Sequence, residues 1–518
     1  MTRSLLTHRA LASALAVVAA ACGPASEYDL ILRGGTLLDG TGAEARVGDV
    51  AIRGDRIAAV GDLGRARGTE EVDVTGLMVA PGFIHLHSHA EPEGLAGAVN
   101  MLSQGVTTEI MNPDGGGPLD LPAQFAELEA GGLAVNVGGY IGFNRVWYET
   151  VGPDDRRPTA AQIEAMQAQI QAGLEAGAWG VSAGLDYKPA YYAHMDEVVA
   201  VLTPVGRWGT VFTNHDRLTP ESGYSSRVGM QETVDIGEAA GLRPVITHMK
   251  IQGREQGTSP EVLQWMRDTE ARGVPVAADV YPYLAGQTGL SALIIPGWAQ
   301  AGGREAMLAR FGDPALRTRI VAEADEAMAA RFGGPSGVFL LSLQRELTDV
   351  MADMGAATGG EAVIRLLEDD EHGVILRFGS EEDLSAILRH PTASISCDCG
   401  SSLSTRVHPR YWGTHPRVLG RYVRELGVLS WEDAVRKMTG LPAATIGMEG
   451  RGTLAPDMAA DIVVFDPTTI IDHATYEDPT AMSDGIVHVL VNGEVAWRDG
   501  AATGAQAGRV LRKPNPLG

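Results

Sequence analysis

Pro81-Gly82-Phe83-Ile84-His85-Leu86-His87-Ser88-His89 sets three histidines two residues apart at the end of an apolar run. Side chains alternate faces along a strand, so all three imidazoles project to one side. Alone, such a group is more often core or exposed histidines than a ligand site; its place after an apolar strand and a proline-glycine turn makes it a candidate metal-ligand array. Two more histidines close β-type runs downstream, His215 in Val211-Phe212-Thr213-Asn214-His215 and His248 in Val245-Ile246-Thr247-His248. Asp398 sits similarly in Ser394-Ile395-Ser396-Cys397-Asp398. In a parallel barrel, residues at the C-terminal ends of several strands converge on one mouth, where that fold gathers its chemistry. Singly each residue reads as structural; together they are better explained by a metal site.

Outward from these strands, capped helices alternate with β-type runs, the pattern of βα units around a parallel sheet. Thr159 and Gln162 form a capping box; Ile163, Met166, Ile170 and Leu174 share one face, and Gly177 stops the helix. A second helix starts at Ser259-Pro260 and stops at Gly273, and a third runs from near Ser430 to Gly440. Short β-type runs with glycine turns fill 28–79. The pattern returns at the far end in Asp461-Ile462-Val463-Val464-Phe465 and in Val487-His488-Val489-Leu490-Val491, followed by an Asn492-Gly493 turn. The expected fold is α/β: a (β/α)8 TIM-like barrel over 82–447, with a small β-sandwich domain built from both chain ends, 27–81 and 448–512. Residues 290–389 are poorer in strand signals and read either as a helical lid or as ordinary barrel helices and loops.

The 518 residues are 45% hydrophobic and 20% charged, with 41 basic against 65 acidic side chains and a net charge of -24. That balance repels phosphate backbones, so nucleic acid is not an expected partner, and a site for an anionic ligand must supply its own cations. Arg3 and Arg9 precede an apolar run, Leu11 to Ala20, of signal-peptide length. Ala19-Ala20-Ala21-Cys22 resembles a bacterial lipoprotein processing site without its usual leucine. Residues 1–22 are therefore expected to be a leader, with export to the periplasm or lipid anchoring at Cys22. Cys397 and Cys399, two apart on an apparent strand, read as small buried core residues whose spacing does not permit a normal disulfide.

An ordered series of phrases resembles the amidohydrolase superfamily and, within it, the N-acyl-D-amino-acid deacylase (D-aminoacylase) family. The series comprises Leu32-Arg33-Gly34-Gly35-Thr36, Pro81-Gly82-Phe83, Gln104-Gly105-Val106-Thr107-Thr108, Gly184-Leu185-Asp186-Tyr187 with Pro189, His248-Met249-Lys250 and Tyr281-Pro282-Tyr283. It continues with His408-Pro409-Arg410 and Gly413-Thr414-His415-Pro416-Arg417, so that it spans nearly the whole chain after the leader. In the family's register His87 and His89 are metal ligands, and His85 occupies a position usually held by aspartate, as an added ligand or a packing neighbour. The family's second-strand ligand is commonly cysteine; here Glu109-Ile110-Met111-Asn112-Pro113-Asp114 puts Asp114 there. As a carboxylate it can still bind zinc. It reads equally as a turn residue before Gly115-Gly116-Gly117.

The resemblance implies hydrolysis of the amide of N-acyl-D-amino acids, with zinc as one or two ions, or another divalent metal. The metal set is His87, His89, Asp114, His215 and His248, with Asp398 as the general base. Lys250, Tyr281 and Arg410 match positions that clamp the carboxylate of a small-molecule substrate, and an ammonium, a phenol and a guanidinium suit that task. A surface ion pair for Arg410 and a packed stem for Lys250 are the alternatives. Lys188 precedes Pro189, which argues for a loop and against a lysine-bridged binuclear centre. A cyclic amidase or dipeptidase on the same barrel is the competing activity. A lipoprotein that binds a small molecule without turnover is the competing class, motivated by His85 and Asp114.

Overall fold

The computed structural model describes residues 27–517; the expected leader and Cys22 lie outside the described residues. Parallel strands Phe83–Ser88, Val106–Met111 and Asn136–Gly139 pair in that order. Ile141–Gly142, Gly180–Gly184, Val211–His215, Arg243–Ile246, Ala277–Val280 and Ala393–Ile395 do likewise. With the two segments either side of Tyr140 taken as one strand, these are the eight strands of the barrel. The last strand meets the first through a parallel bridge between Ser88 and Cys399, where the His89 amide donates to the Cys399 carbonyl at 2.8 Å.

The helix over Ala160–Glu175 forms as its sequence requires. Both halves of the Thr159–Gln162 capping box are made, Met166, Ile170 and Leu174 are buried, and Gly177 takes φ 100° just beyond its end.

Both chain ends enter one nine-stranded sheet, joined where Ile462–Phe465 runs antiparallel to Met78–Pro81. The joining strand is apolar throughout because it serves two cores. Ile462 and Val464 pack with Leu30, Leu32, Val50 and Ile52, whereas Val463 and Phe465 pack with Phe83 and Val106 of the barrel.

Between the strands Ala277–Val280 and Ala393–Ile395 the chain builds a separate layer. It carries helices, among them Pro314–Phe332 and Gly359–Asp369, around a four-stranded sheet made of Ala285–Gly289, Gly373–Arg377, Val338–Leu340 and Arg345–Glu346. These strands are two to five residues long and pair antiparallel across distant stretches, which explains their weak sequence signal.

One expectation is overturned. Cys397 and Cys399 are buried, but their sulfurs are joined as a disulfide, with Cα atoms 5.1 Å apart. A continuing strand would hold them apart. The strand instead ends at Ile395, and Asp398 takes φ 50°, turning the chain between the two cysteines.

Candidate metal centre and active site

His87 and His89 project from the end of Phe83–Ser88, His215 ends Val211–His215, His248 follows Arg243–Ile246, the next barrel strand, and Asp398 follows Ala393–Ile395, the last. Asp114, His248 and Asp398 have positive φ values of 52°, 35° and 50°. Non-glycine residues seldom adopt this region, and it bends the loops at the mouth so that their side chains turn inward.

The donor atoms fall into two groups, each within 4.8 Å mutually: His87, His89, Asp114 and Asp398, and Asp114, His215 and His248. Asp114 belongs to both. Its Oδ2 lies 3.4 Å from His87 Nε2 and 3.5 Å from His89 Nε2, while its Oδ1 lies 3.7 Å from His248 Nε2 and 4.0 Å from His215 Nδ1. His87 Nε2, Asp114 Oδ1 and both ring nitrogens of His215 are buried without hydrogen-bond partners. Buried polar atoms are normally satisfied, and orphans converging from three strands fit a bound cation.

The electrostatics agree. Burial pushes Asp114 up, but the charge of His87 and the close approach of the His248, His87 and His89 rings outweigh it and hold the carboxyl well below its ordinary range. Burial also opposes ionisation of Asp398, yet Arg410, His248 and His89 hold it below the carboxylate range. Burial, reinforced by Lys250, lowers His248 to about 4, so that ring is neutral and able to ligate.

Asp398 Oδ1 stands 3.2 Å from His89 Nε2, and Oδ2 stands 2.8 Å from Arg410 Nη1. That ion pair is not aligned as a hydrogen bond, so Arg410 Nε and Nη1 keep unspent donors. The Arg410 guanidinium lies over the Tyr281 ring at 4.9 Å, and Lys250 Nζ lies 2.6 Å from His248 Nδ1. Tyr187, His215, Lys250, Tyr281 and Asp398 form one wall of a pocket whose apolar wall is Leu293, Phe332, Leu376 and Phe378.

All nine residues named from sequence thus lie around one mouth. His85 does not join the donor groups: it turns away, with Nδ1 2.8 Å from Ser396 Oγ and Nε2 3.1 Å from Cys397 Sγ. Lys188 also stays outside, donating to the Ala292 carbonyl at 2.9 Å.

Sequence reasoning missed two groups. Asp279 is fully buried, with Oδ1 accepting from the His248 amide at 2.7 Å and Oδ2 4.0 Å from His87 Nδ1, so it braces both residues. Its signal was a lone acid in the small apolar run Ala277-Ala278-Asp279-Val280. Asp186, 3.9 Å from His215 Nε2, pairs with buried Arg331 at 2.6 Å, and nothing local in either segment announces that pair.

The amidohydrolase family model matches residues 70–496. D-aminoacylase of Alcaligenes xylosoxydans xylosoxydans is 35% identical over 516 residues, covering 94% of this chain and 98% of its own. A D-aminoacylase structure addressing the functional role of a binuclear metal centre, with one-metal activation and second-metal attenuation, matches with TM-score 0.78 at 32% identity. The match covers 94% of this chain and 100% of that one. N-acyl-D-glutamate deacylase of Bordetella bronchiseptica, complexed with zinc and a phosphonate mimic of the reaction's tetrahedral intermediate, matches with TM-score 0.76 at 31% identity. There the coverage is 94% of this chain and 99% of that one.

Proposed function

The chain belongs to the amidohydrolase family, and from that premise we propose that it hydrolyses the amide bond of N-acyl-D-amino acids, releasing a carboxylic acid and a D-amino acid. The observation that carries this is the placement of Asp398 beside His89, at the edge of two donor groups that share Asp114.

Zinc, as one or two ions, is the proposed cofactor. His87, His89 and Asp114 would hold one ion, and Asp114, His215 and His248 the other. When bound, zinc supplies Lewis acidity that polarises the scissile carbonyl and acidifies water. Asp398, ionised by its cationic surroundings, accepts the proton from water as it adds to the amide carbon. It then returns that proton to the departing nitrogen, which must be protonated to leave. The free donors of Arg410, with Lys250 and the Tyr281 hydroxyl, hold the substrate's α-carboxylate. In a protein of net charge -24 such local cations offset the long-range repulsion of an anionic substrate. Leu293, Phe332, Leu376 and Phe378 keep water from the pocket's far side, the role proposed for the 290–389 segment as a lid. Export, with a lipid anchor at Cys22, completes the proposal and rests on the leader-like composition of 1–22.

The test is elemental analysis of the protein together with an amine-release screen over paired D and L N-acetyl amino acids, dihydropyrimidines and dipeptides. Turnover confined to the D series in proportion to bound zinc is expected. Strict L preference, or turnover of cyclic amides alone, overturns the substrate assignment.

A further inference from the structure

His85, Cys397 and Cys399 form a compact, solvent-free cluster directly under the mouth, outside both donor groups. The disulfide spans only Asp398, so the residue read above as the proton carrier is the single link of a small covalent ring. Asp398 sits there with φ 50°, a left-handed conformation uncommon outside glycine and open to aspartate, which turns the chain within the ring.

The ring is anchored on both sides. The Cys399 carbonyl accepts from His85 Nε2 at 3.1 Å and from the His89 amide at 2.8 Å, which ties it to the strand carrying His87 and His89. On the other side, Ser396 Oγ and Cys397 Sγ rest on the same imidazole at 2.8 and 3.1 Å. His85, which takes no part among the ligands, is thus the floor on which the disulfide loop sits.

We propose that the Cys397–Cys399 disulfide is a reversible redox site that positions Asp398, so that reduction by a dithiol moves the carboxylate and lowers turnover. A thiolate of the dithiol attacks one sulfur, giving a mixed disulfide and releasing the other cysteine as a thiolate. The second thiol then resolves it, so the protein gains two electrons and two protons as the dithiol becomes a disulfide. Both sulfurs are buried, so access requires opening of the following loop, where Leu403, Ser404, Thr405 and Arg406 are exposed and belong to no helix or strand. Reduction is therefore slow and limited by that opening.

The proposal rests on Asp398 as the proton carrier, and the experiment keeps the two apart. Metal-loaded protein is alkylated after unfolding, with and without prior reduction, and the labelled cysteines are mapped by mass spectrometry. Cobalt-loaded protein is reduced with a phosphine or a dithiol while its visible spectrum and its turnover of N-acetyl-D-amino acids are followed. Labelling of Cys397 and Cys399 only after reduction is expected, with a shifted cobalt spectrum, a drop in kcat of about tenfold or more at little-changed KM, and recovery on reoxidation. The Cys397→Ser/Cys399→Ser double variant should match the reduced enzyme and ignore reductant, with metal content intact. Labelling of both cysteines without reduction, or quantitative reduction that leaves spectrum and kcat unchanged, overturns the proposal. If no N-acyl-D-amino acid is turned over, the labelling and the spectrum still decide it.

Discussion

Lys250 Nζ lies 2.6 Å from Nδ1 of His248, and Nε2 of the same ring lies 3.7 Å from Asp114 Oδ1. A neutral imidazole that gives its Nε2 lone pair to a metal carries its one proton on Nδ1. An ammonium cannot donate to that N–H, so in a loaded centre Lys250 is either a free amine accepting the proton or has swung toward the substrate. Burial lowers the Lys250 pKa, so the amine form is reached as pH rises, whereas the ammonium, turned from the ring, is the form that clamps the substrate carboxylate. Zinc affinity should therefore rise with pH through the titration of Lys250, and Lys250→Met should remove that component. The same variant should raise KM for the carboxylate substrate about 10- to 100-fold, the loss of one charge-assisted hydrogen bond of about 1.5–3 kcal/mol. Competition with a chelator across pH and steady-state kinetics check both; an unchanged KM removes Lys250 from the carboxylate clamp.

Asp114 is the one carboxylate that serves both donor groups. Asp114→Ala should cut bound zinc by at least half, because the His215–His248 group is left with two ligands. Asp114→Cys should restore zinc while discriminating more strongly against manganese, since a thiolate is softer than a carboxylate. Elemental analysis after dialysis against mixed metals reads the outcome, and full zinc retention in Asp114→Ala contradicts the bridging role.

The metal-free site should also leave a mark on stability. Burial lowers His89, but hydrogen bonds to Asp114 and Asp398 outweigh it and raise the ring to about 9. A histidine raised above its unfolded value of about 6.5 gives its full stabilisation below that pH and loses it as pH climbs toward the folded value. Asp114 and Asp398 are depressed, so their share is present above an unfolded value of about 3.9 and is lost as pH falls further. The metal-free Tm should thus decline from about pH 6.5 to 9, modestly because one side of His89 faces solvent. Zinc, which needs the deprotonated ring, should reduce or reverse that decline. Thermal scans with and without metal test this; parallel profiles speak against proton–metal competition at His89.

The barrel and the cluster of candidate ligands at its mouth were legible because their signals are local. Histidines two apart on a strand share a face, which brought His87 and His89 together although His85 packs against Ser396 and Cys397, and polar residues ending apolar runs mark strand ends wherever the chain lies. The Cys397–Cys399 disulfide was not legible, since the spacing reads as a strand unless Asp398 is known to turn left-handed. The 285–377 layer was hidden for another reason: Ala285–Gly289 pairs with Gly373–Arg377 across a long insertion, and strands this short leave little periodicity. The Asp186–Arg331 pair bridges 145 positions, beyond the reach of any local pattern.

That pair supports the last prediction. Arg331 ends the helix Pro314–Phe332 of the inserted layer, and Asp186 lies in the barrel loop beside His215, so one ion pair pins layer to mouth. Both side chains are about 2% exposed, and the pair is braced by Gln252 Oε1 on Arg331 Nε at 3.3 Å and by the Leu218 amide on Asp186 Oδ1 at 3.2 Å. Breaking such a pair from one side strands a buried charge at a cost of about 3–5 kcal/mol, whereas replacing both partners with apolar groups costs far less. Arg331→Met should therefore destabilise the protein strongly, and Asp186→Leu/Arg331→Met should recover most of the loss in chemical denaturation. The stranded Asp186 in the single variant would be free to draw His215 toward itself and away from Asp114, so zinc affinity should fall there and return in the double variant. Equal stability of the single and double variants would mean that the pair contributes packing rather than charge compensation.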